Sequence, residues 1–574
     1  MSSLSPGRAR LARLALYAVA FVAIRAVLWR DFPLILTGDS WDFLGATSRI
    51  ADRLDFSDSG VGLRDCRTPG YPVFQAILSP ITGLRSSRII LAQSALGLVA
   101  AALGCCVGMA ARSPRAAEAL AVFLGLNPVY LLHEHCLMSE GLSLALLLAM
   151  TAVALARIGD RAAGPWGGAA LGALSAMNAL TRVNALPFCV ILSAGAILSR
   201  PGSAGRKGMA RAASAWVLAF LVVAGPWIER NHRLYGKVSL NLFQYRALLI
   251  YKAMHQRLDP KQPQLRRTLD ALSWGNVDYN GLWKLKAEYG TVGSEEVAAR
   301  LLKEQWRAHP GRQARDVLDS LRGFAGLHGP AEDDRTPVRY WFRALAGDVA
   351  AVDRLHDGSA SQAVTLGLHY ERACGDSSEL RGWRWCGLAY LEAFRPLLVL
   401  AFLGSLGSWR LARVGERTRR DYAIRWLSAA YFSMVGFHAL TLTDSDRFSS
   451  LYDWAAVLVI LLVVAGRPRP ARSGPVADDG RVALAEDDRC HQHARHSPHP
   501  SHRLDSILRW LLRRLTTKLS GPGHGSISIE STGSAARGRG PLQRQVRRRS
   551  RRIRHGSKVL ESAGRPPPSL RGAR

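Results

Sequence analysis

The chain has 574 residues and a formal net charge of +32, from 76 Lys and Arg against 44 Asp and Glu, yet its mean hydropathy is near neutral at +0.02. A soluble nucleic-acid binder this basic would read as clearly polar, so the average hides two populations. Residues 467–574 hold 24 Lys and Arg and 8 Asp and Glu, half of the net charge in less than a fifth of the chain. The first 466 residues repeat apolar runs close to the roughly 20 residues that cross about 30 Å of hydrocarbon. That pattern excludes a soluble single domain, a disordered protein and a secreted disulfide scaffold.

Taken in chain order, the apolar windows predict ten helices: Leu14–Trp29, Ile89–Ala110, Ala116–Leu132, Ser139–Ala156, Trp166–Leu180, Ala185–Leu198, Ala212–Ile228, Ala389–Leu406, Ala423–Leu442 and Leu451–Ala465. The first has the basic flank of a signal peptide, Arg8, Arg10 and Arg13, but no clean small-residue cleavage site follows, so it reads as an uncleaved helix. The fifth and sixth meet around Arg182, as one bent helix or a tight hairpin.

Orientation follows from Lys and Arg in the short loops. With the N-terminus inside, the inner loops hold Arg112 and Arg115; Arg157 and Arg161; Arg200, Arg206, Lys207 and Arg211; Arg410, Arg413, Arg417, Arg419 and Arg420; and Arg467, Arg469 and Arg472. The short outer loops hold only Arg182 and Arg447. Two long segments, 30–88 and 229–388, then fall outside. The expected class is an all-α polytopic membrane protein, residues 1–466, with a disordered basic cytoplasmic tail, residues 467–574.

The polar residues of interest collect on the outer side. Thr37-Gly38-Asp39-Ser40-Trp41-Asp42-Phe43 opens a short surface helix, with Asp39 placed to cap it, Asp42 in its first turn, and Trp41 and Phe43 at the interface. Cys66-Arg67-Thr68-Pro69-Gly70-Tyr71-Pro72 reads as a turn that aims Arg67 either at lipid headgroups or at a phosphate, which its guanidinium fork suits. Glu140 starts the fourth helix behind Ser139, with His133-Glu134-His135 just before it; those three neighbours cannot converge on one metal from one helix face. Arg230 and Arg233, with Trp227 and Tyr235, suit the interfacial belt, and Arg25 suits snorkelling from within the first helix. Cys374 and Cys386, twelve positions apart in the second outer segment where disulfides persist, are candidates for a bridge, with Cys66 and Cys136 as competing partners, while Cys105 and Cys106 read as packing residues.

These blocks resemble the polyprenyl-phosphate-sugar glycosyltransferases of the GT-C superfamily, the group that includes protein mannosyltransferases and aminoarabinose transferases. The resemblance spans roughly residues 10–466. It is carried by Gly38-Asp39-Ser40 with Asp42, Arg67-Thr68-Pro69-Gly70-Tyr71-Pro72, Ser139-Glu140, Arg182, Pro226-Trp227 with Arg230-Asn231 and Gly236, His309-Pro310, and Arg447-Phe448. It implies an inverting transferase, hexosyl or pentosyl, that works on the non-cytoplasmic face of a membrane, the bacterial inner membrane, with a polyprenyl-phosphate sugar as donor and a lipid, glycan or protein as acceptor. Under it Asp39 is the general base, with Asp42 as the competing choice because Ser40 stands where many relatives carry glutamate. Arg67, Arg182 and Arg447 bind the donor phosphate, and Tyr71, Glu140, Arg230 and Asn231 support the site. No cofactor is implied, and a divalent metal stays open.

The tail reads as a partner for anionic lipid through its arginines, with a basic amphipathic helix over Leu504–Leu515; nucleic acid is not expected as a partner. A lipid-linked glycan flippase would need the same arginines, and an inactive scaffold would keep the fold.

Overall fold

In the computed structural model the described residues are 6–32, 34–36, 38–57, 67–158, 165–199, 205–242, 245–246, 248–249, 280–325, 342, 368, 381–411, 419–441 and 450–465. Among them the chain is all-α: a single isolated bridge, Ile35 to Cys136, is the one β-type pairing. The chain divides into two units, Met1–Arg472 and Ser473–Arg574. The second lies outside the described residues, together with every expectation for the tail.

The helices, in order, are α1 Pro6–Asp31, α2 Gly38–Arg53, α3 Gly70–Thr82, α4 Ser86–Ala110, α5 Pro114–Leu126, α6 Pro128–Glu134, α7 Glu140–Arg157, α8 Pro165–Thr181, α9 Leu186–Leu198 and α10 Gly205–Tyr235. They continue with α11 Asn280–Ala308, α12 Pro310–Phe324, α13 Arg381–Ala389, α14 Arg395–Leu411, α15 Arg419–Thr441 and α16 Asp453–Ala465. Each of the ten apolar windows falls on helix. Among the described residues five helical stretches, Ala12–Arg30, Ser86–Ala110, Glu140–Arg157, Gly205–Tyr235 and Trp385–Arg410, are long and apolar enough to cross a membrane, and the bent pair α5 and α6 makes up to six.

Two windows are broken for identifiable reasons. Ala116–Leu132, read as one helix, divides at Asn127 with a bend of 54°. Pro128 lacks an N–H and pushes the preceding residue into extended backbone, and Asn127 takes that conformation and caps the new helix, its Oδ1 accepting from Val129 N at 2.9 Å. The stretch around Arg182 is not one bent helix but two helices that meet at a tight connection, as the hairpin alternative has it. α8 stops at Thr181, Arg182 is extended, and a single 3-10 turn over Val183–Ala185 leads into α9. A π-helical turn, Tyr390–Phe394, joins α13 to α14.

The bundle inverts the usual inside-out rule at its rim, as expected where lipid is the solvent. α1 exposes Leu16, Val19, Val22 and Val27, and α10 exposes Val217, Leu218, Leu221 and Val222. α16, by contrast, is buried along nearly its whole length and packs Trp454, Leu458 and Leu462 against α5, α14 and α15 at the centre of the core. α8 and α10 lie in backbone contact, because a Cβ on Gly168 or Gly172 would stand 2.1 Å from the carbonyl oxygens of Ala212 and Trp216.

Cys386 is a free thiol, and Cys374, its expected partner, lies outside the described residues, as does Cys66. Cys105 and Cys106 are helix residues of α4, Cys105 half-buried and Cys106 exposed, so the packing role does not hold for Cys106.

Candidate functional site

The site is assembled by short polar contacts among four chain segments that are far apart in sequence. Ile35 N donates to His135 O at 2.7 Å and Leu137 N to Ile35 O at 3.2 Å, which lays the strand entering α2 along the loop that enters α7. Ser40 Oγ adds a bond to Leu137 O at 3.1 Å. On the other side Thr68 Oγ1 donates to Thr181 O at 3.3 Å, and Gly70 sits so close to Leu180 that a Cβ would lie 2.7 Å from its carbonyl carbon. The starts of α2, α3 and α7 and the end of α8 therefore meet at one end of the bundle.

Asp39 and Asp42 occupy the first turn and a half of α2, three residues apart and so on one face. Asp39 lies inside the helix, which begins at Gly38, so it does not act as the expected cap. Its carboxylate instead pairs with Arg67 Nη2, while Arg67 Nε donates to Asp42 Oδ2 at 3.1 Å. One guanidinium thus bridges both carboxylates, and all three side chains keep between 13% and 21% of their surface open. Both headgroup contact and phosphate contact were open for Arg67; in this state its partners are the two aspartates. Its guanidinium also lies 5.5 Å above the ring of Phe43, which meets Tyr71 edge to face at 4.9 Å. Phe43 is consequently buried, not an interfacial anchor, and the side chain of Trp41 lies outside the described residues.

The segment read as a doubly broken turn is the start of a helix. Pro69 stands at the N-cap of α3, and Pro72 falls in its first turn, where a missing N–H costs nothing. Tyr71 projects from that turn into the bundle, donates to Gln93 Oε1 at 2.6 Å and accepts from Gln75 Nε2 at 2.9 Å.

Arg182 and Glu140 form a second pair at 2.7 Å, both almost fully buried. Ser139 precedes α7 at the cap position without a side-chain cap bond; its hydroxyl lies 3.5 Å from Arg182 Nη1 instead. Arg182 is so placed because its extended backbone ends α8, and Asn178 is locked to Ser143 by a hydrogen bond of 2.8 Å.

Arg230 and Asn231 stand elsewhere. Arg230 Nε donates to Phe56 O at 2.7 Å, its guanidinium covers Trp227 at 4.3 Å, and Asn231 bonds to Arg230 and to Ser239 O. Phe56 follows the far end of α2, a 16-residue helix about 24 Å long at 1.5 Å per residue. These two residues brace that end and do not join Asp39. Asp55 beside it has its carboxyl below the ordinary range, held there by the Ser57 hydroxyl and N–H. Arg447 lies outside the described residues.

Two buried ion pairs were not read from the sequence. Arg25 does not snorkel: it turns into the bundle, binds Glu134 Oε1 at 2.6 Å and donates to the carbonyls of Phe21 and Gly125. Arg395 pairs with Asp453 at 3.1 Å with both side chains fully buried, and Tyr390 donates to the same carboxylate at 2.8 Å. For Arg395 and Asp453 the available signal was the presence of opposite charges inside separate apolar windows, which hydrocarbon tolerates only when they find one another; for Arg25 it was a lone cation inside one. His135 packs edge to face on Phe32 at 4.7 Å, and among the described residues no group of three or more His, Cys, Asp or Glu side chains is arranged to hold a metal ion.

No family model matches the chain, and no curated protein matches it. Among solved structures it is similar to the crystal structure of ArnT from Cupriavidus metallidurans bound to undecaprenyl phosphate, with 14% identity, coverage of 78% of this chain and 77% of that one, and a TM-score of 0.30.

Proposed function

We propose that this chain is a membrane glycosyltransferase that takes a sugar from a polyprenyl-phosphate donor and passes it to an envelope acceptor on the non-cytoplasmic face, with Asp39 as the general base. The observation that supports this reading most directly is the bridge from Arg67 to Asp39 and Asp42, set beside the Arg182–Glu140 pair at one end of an apolar helical bundle. Transfer to a hydroxyl or amine needs a carboxylate to accept the proton of the attacking group and cations to stabilise the phosphate that leaves. Three carboxylates and two guanidiniums, held as ion pairs, supply both kinds of group.

In the proposed reaction the acceptor attacks the anomeric carbon, the bond from that carbon to the phosphate oxygen breaks, and the acceptor proton passes to Asp39. Arg67 is the switch between states. Its fork matches phosphate oxygens as well as carboxylates, so a donor phosphate competes with Asp39 and Asp42 for it. Capture of Arg67 by the phosphate would release Asp39 to act as base at the moment the donor is in place.

The test is a mass-spectrometric comparison of envelope glycans, glycolipids and glycoproteins from cells with and without the chain. Loss of one sugar from one acceptor is the expected result and names both substrates. Accumulation of a complete lipid-linked glycan would instead identify a flippase and overturn the transferase reading.

A further inference from the structure

We infer that Gln93 is a positioning residue for the site, transmitting the placement of the buried Arg25–Glu134 pair to Arg67 through Tyr71 and Phe43; this rests on the transferase reading above.

Gln93 lies on α4, an apolar helix, and is buried. An amide in such surroundings is costly unless both of its ends are satisfied. Its Nε2 donates to the backbone carbonyl of Glu134 at 2.7 Å, and its Oε1 accepts from Tyr71 OH at 2.6 Å. The amide has one workable orientation, because turning it over would set its oxygen against the Glu134 carbonyl oxygen.

On one side Gln93 is held by a fixed body. Arg25 fastens Glu134 to α1 and to the end of α5. Gly97, one helical turn beyond Gln93, leaves the space that the Glu134 carboxylate fills; a Cβ there would lie 1.9 Å from Oε1. On the other side the contacts run outward without a gap. The Tyr71 ring meets Phe43, the Phe43 ring lies under the Arg67 guanidinium, and Arg67 binds Asp39 and Asp42. Tyr71, Gln93, Gly97, Glu134 and Glu140 also share the lining of one recess.

Loss of the amide removes the acceptor of the Tyr71 hydroxyl and leaves it bonded to Gln75; the Tyr71 ring then shifts toward Gln75, carrying Phe43 and Arg67 with it. A misplacement of about 1 Å at a reacting group can cost up to about 100-fold. A shift relayed through two rings is expected to cost about tenfold.

The experiment uses the full chain in detergent and measures binding of a polyprenyl phosphate by tryptophan fluorescence. Gln93→Leu and Tyr71→Phe are each expected to weaken binding about tenfold, with the double variant no weaker than either single one, because both cut the same link. Gln93→Glu, whose protonated form matches the amide in shape and bonding, is expected to stay within about threefold of the parent chain. Should Gln93→Leu fail to fold, Tyr71→Phe and Gln93→Glu carry the comparison. Binding unchanged in Gln93→Leu, or losses that multiply in the double variant, would overturn the positioning role. A parent chain that binds no polyprenyl phosphate, or whose binding is unaltered by Arg67→Ala, would sink the transferase reading and this role with it.

Discussion

Replacing Arg25 with methionine should be among the most damaging single changes outside the site. The side chain makes three bonds, to Glu134 Oε1 at 2.6 Å, to Gly125 O at 3.1 Å and to Phe21 O at 3.2 Å, and both partners of the ion pair keep 5% or less of their side-chain surface. Methionine fills much of the volume but leaves a carboxylate buried against Gly97 with its cation gone. Breaking a buried pair by removing one partner costs about 3–5 kcal/mol, whereas replacing both partners with apolar side chains of similar size is often neutral or stabilising. The double variant Arg25→Met, Glu134→Leu should therefore recover most of the loss. Equilibrium unfolding of the purified chain in mixed micelles measures both. A single variant within about 1 kcal/mol of the parent, or a double variant as unstable as the single one, would refute the assignment of Arg25 as an inward-facing partner and restore the snorkelling picture.

Three further outcomes follow from the geometry. Asp39→Asn should abolish sugar transfer while the protein still inserts, and Asp42→Asn should lower transfer less, since the base is assigned to Asp39; in-cell mass spectrometry of the acceptor separates them, and the reverse order would reassign the base to Asp42. Gly172→Val forces a side chain toward the Trp216 carbonyl, 2.1 Å from an ideal Cβ, and should destabilise by about 1–3 kcal/mol through overpacking, read as a lower unfolding midpoint in detergent. Asn127→Ala removes the cap of α6 and should cost about 1 kcal/mol, with the same readout.

The outline of the bundle was legible because period and run length survive without tertiary information: all ten apolar windows fall on helix. The breaks were legible in principle, since Asn127-Pro128 is an N-cap followed by proline, but a hydropathy window averages across them. α3 was missed for the opposite reason. Two prolines and a glycine suggest a turn, and only the fact that Pro69, Gly70 and Pro72 all fall in the cap and first turn makes them compatible with a helix. At the site, five of the nine residues singled out, Asp39, Asp42, Arg67, Glu140 and Arg182, form two ion-paired groups, and Tyr71 packs beneath one of them. Arg230 and Asn231 share a motif with Trp227, yet motif membership does not say which end of α2 they reach. Gln93, Arg25 and Asp453 carry no motif at all, and their partners lie at sequence separations of 22, 109 and 58 residues.

In the two ion-paired groups of the site, carboxylates outnumber guanidiniums. Asp39, Asp42 and Glu140 contribute three negative charges, against two positive charges from Arg67 and Arg182, and the five side chains are already in contact as ion pairs. A donor phosphate entering beside them meets a net negative charge. At about 6 Å and an effective dielectric near 20, one such charge repels another by about 3 kcal/mol, roughly a hundredfold in affinity. A further cation beside the phosphate would offset that repulsion. Arg447 is the protein's own candidate, in a short segment directly after α15 and before α16; a divalent ion is the alternative. Arg447→Gln should weaken polyprenyl-phosphate binding by one to two orders of magnitude, and binding by the parent chain should be insensitive to a chelator. Chelator sensitivity with full binding in Arg447→Gln would transfer the role to a metal. Binding indifferent to both would mean that Arg67 and Arg182 suffice, and that the carboxylates around them are protonated or displaced when the donor arrives.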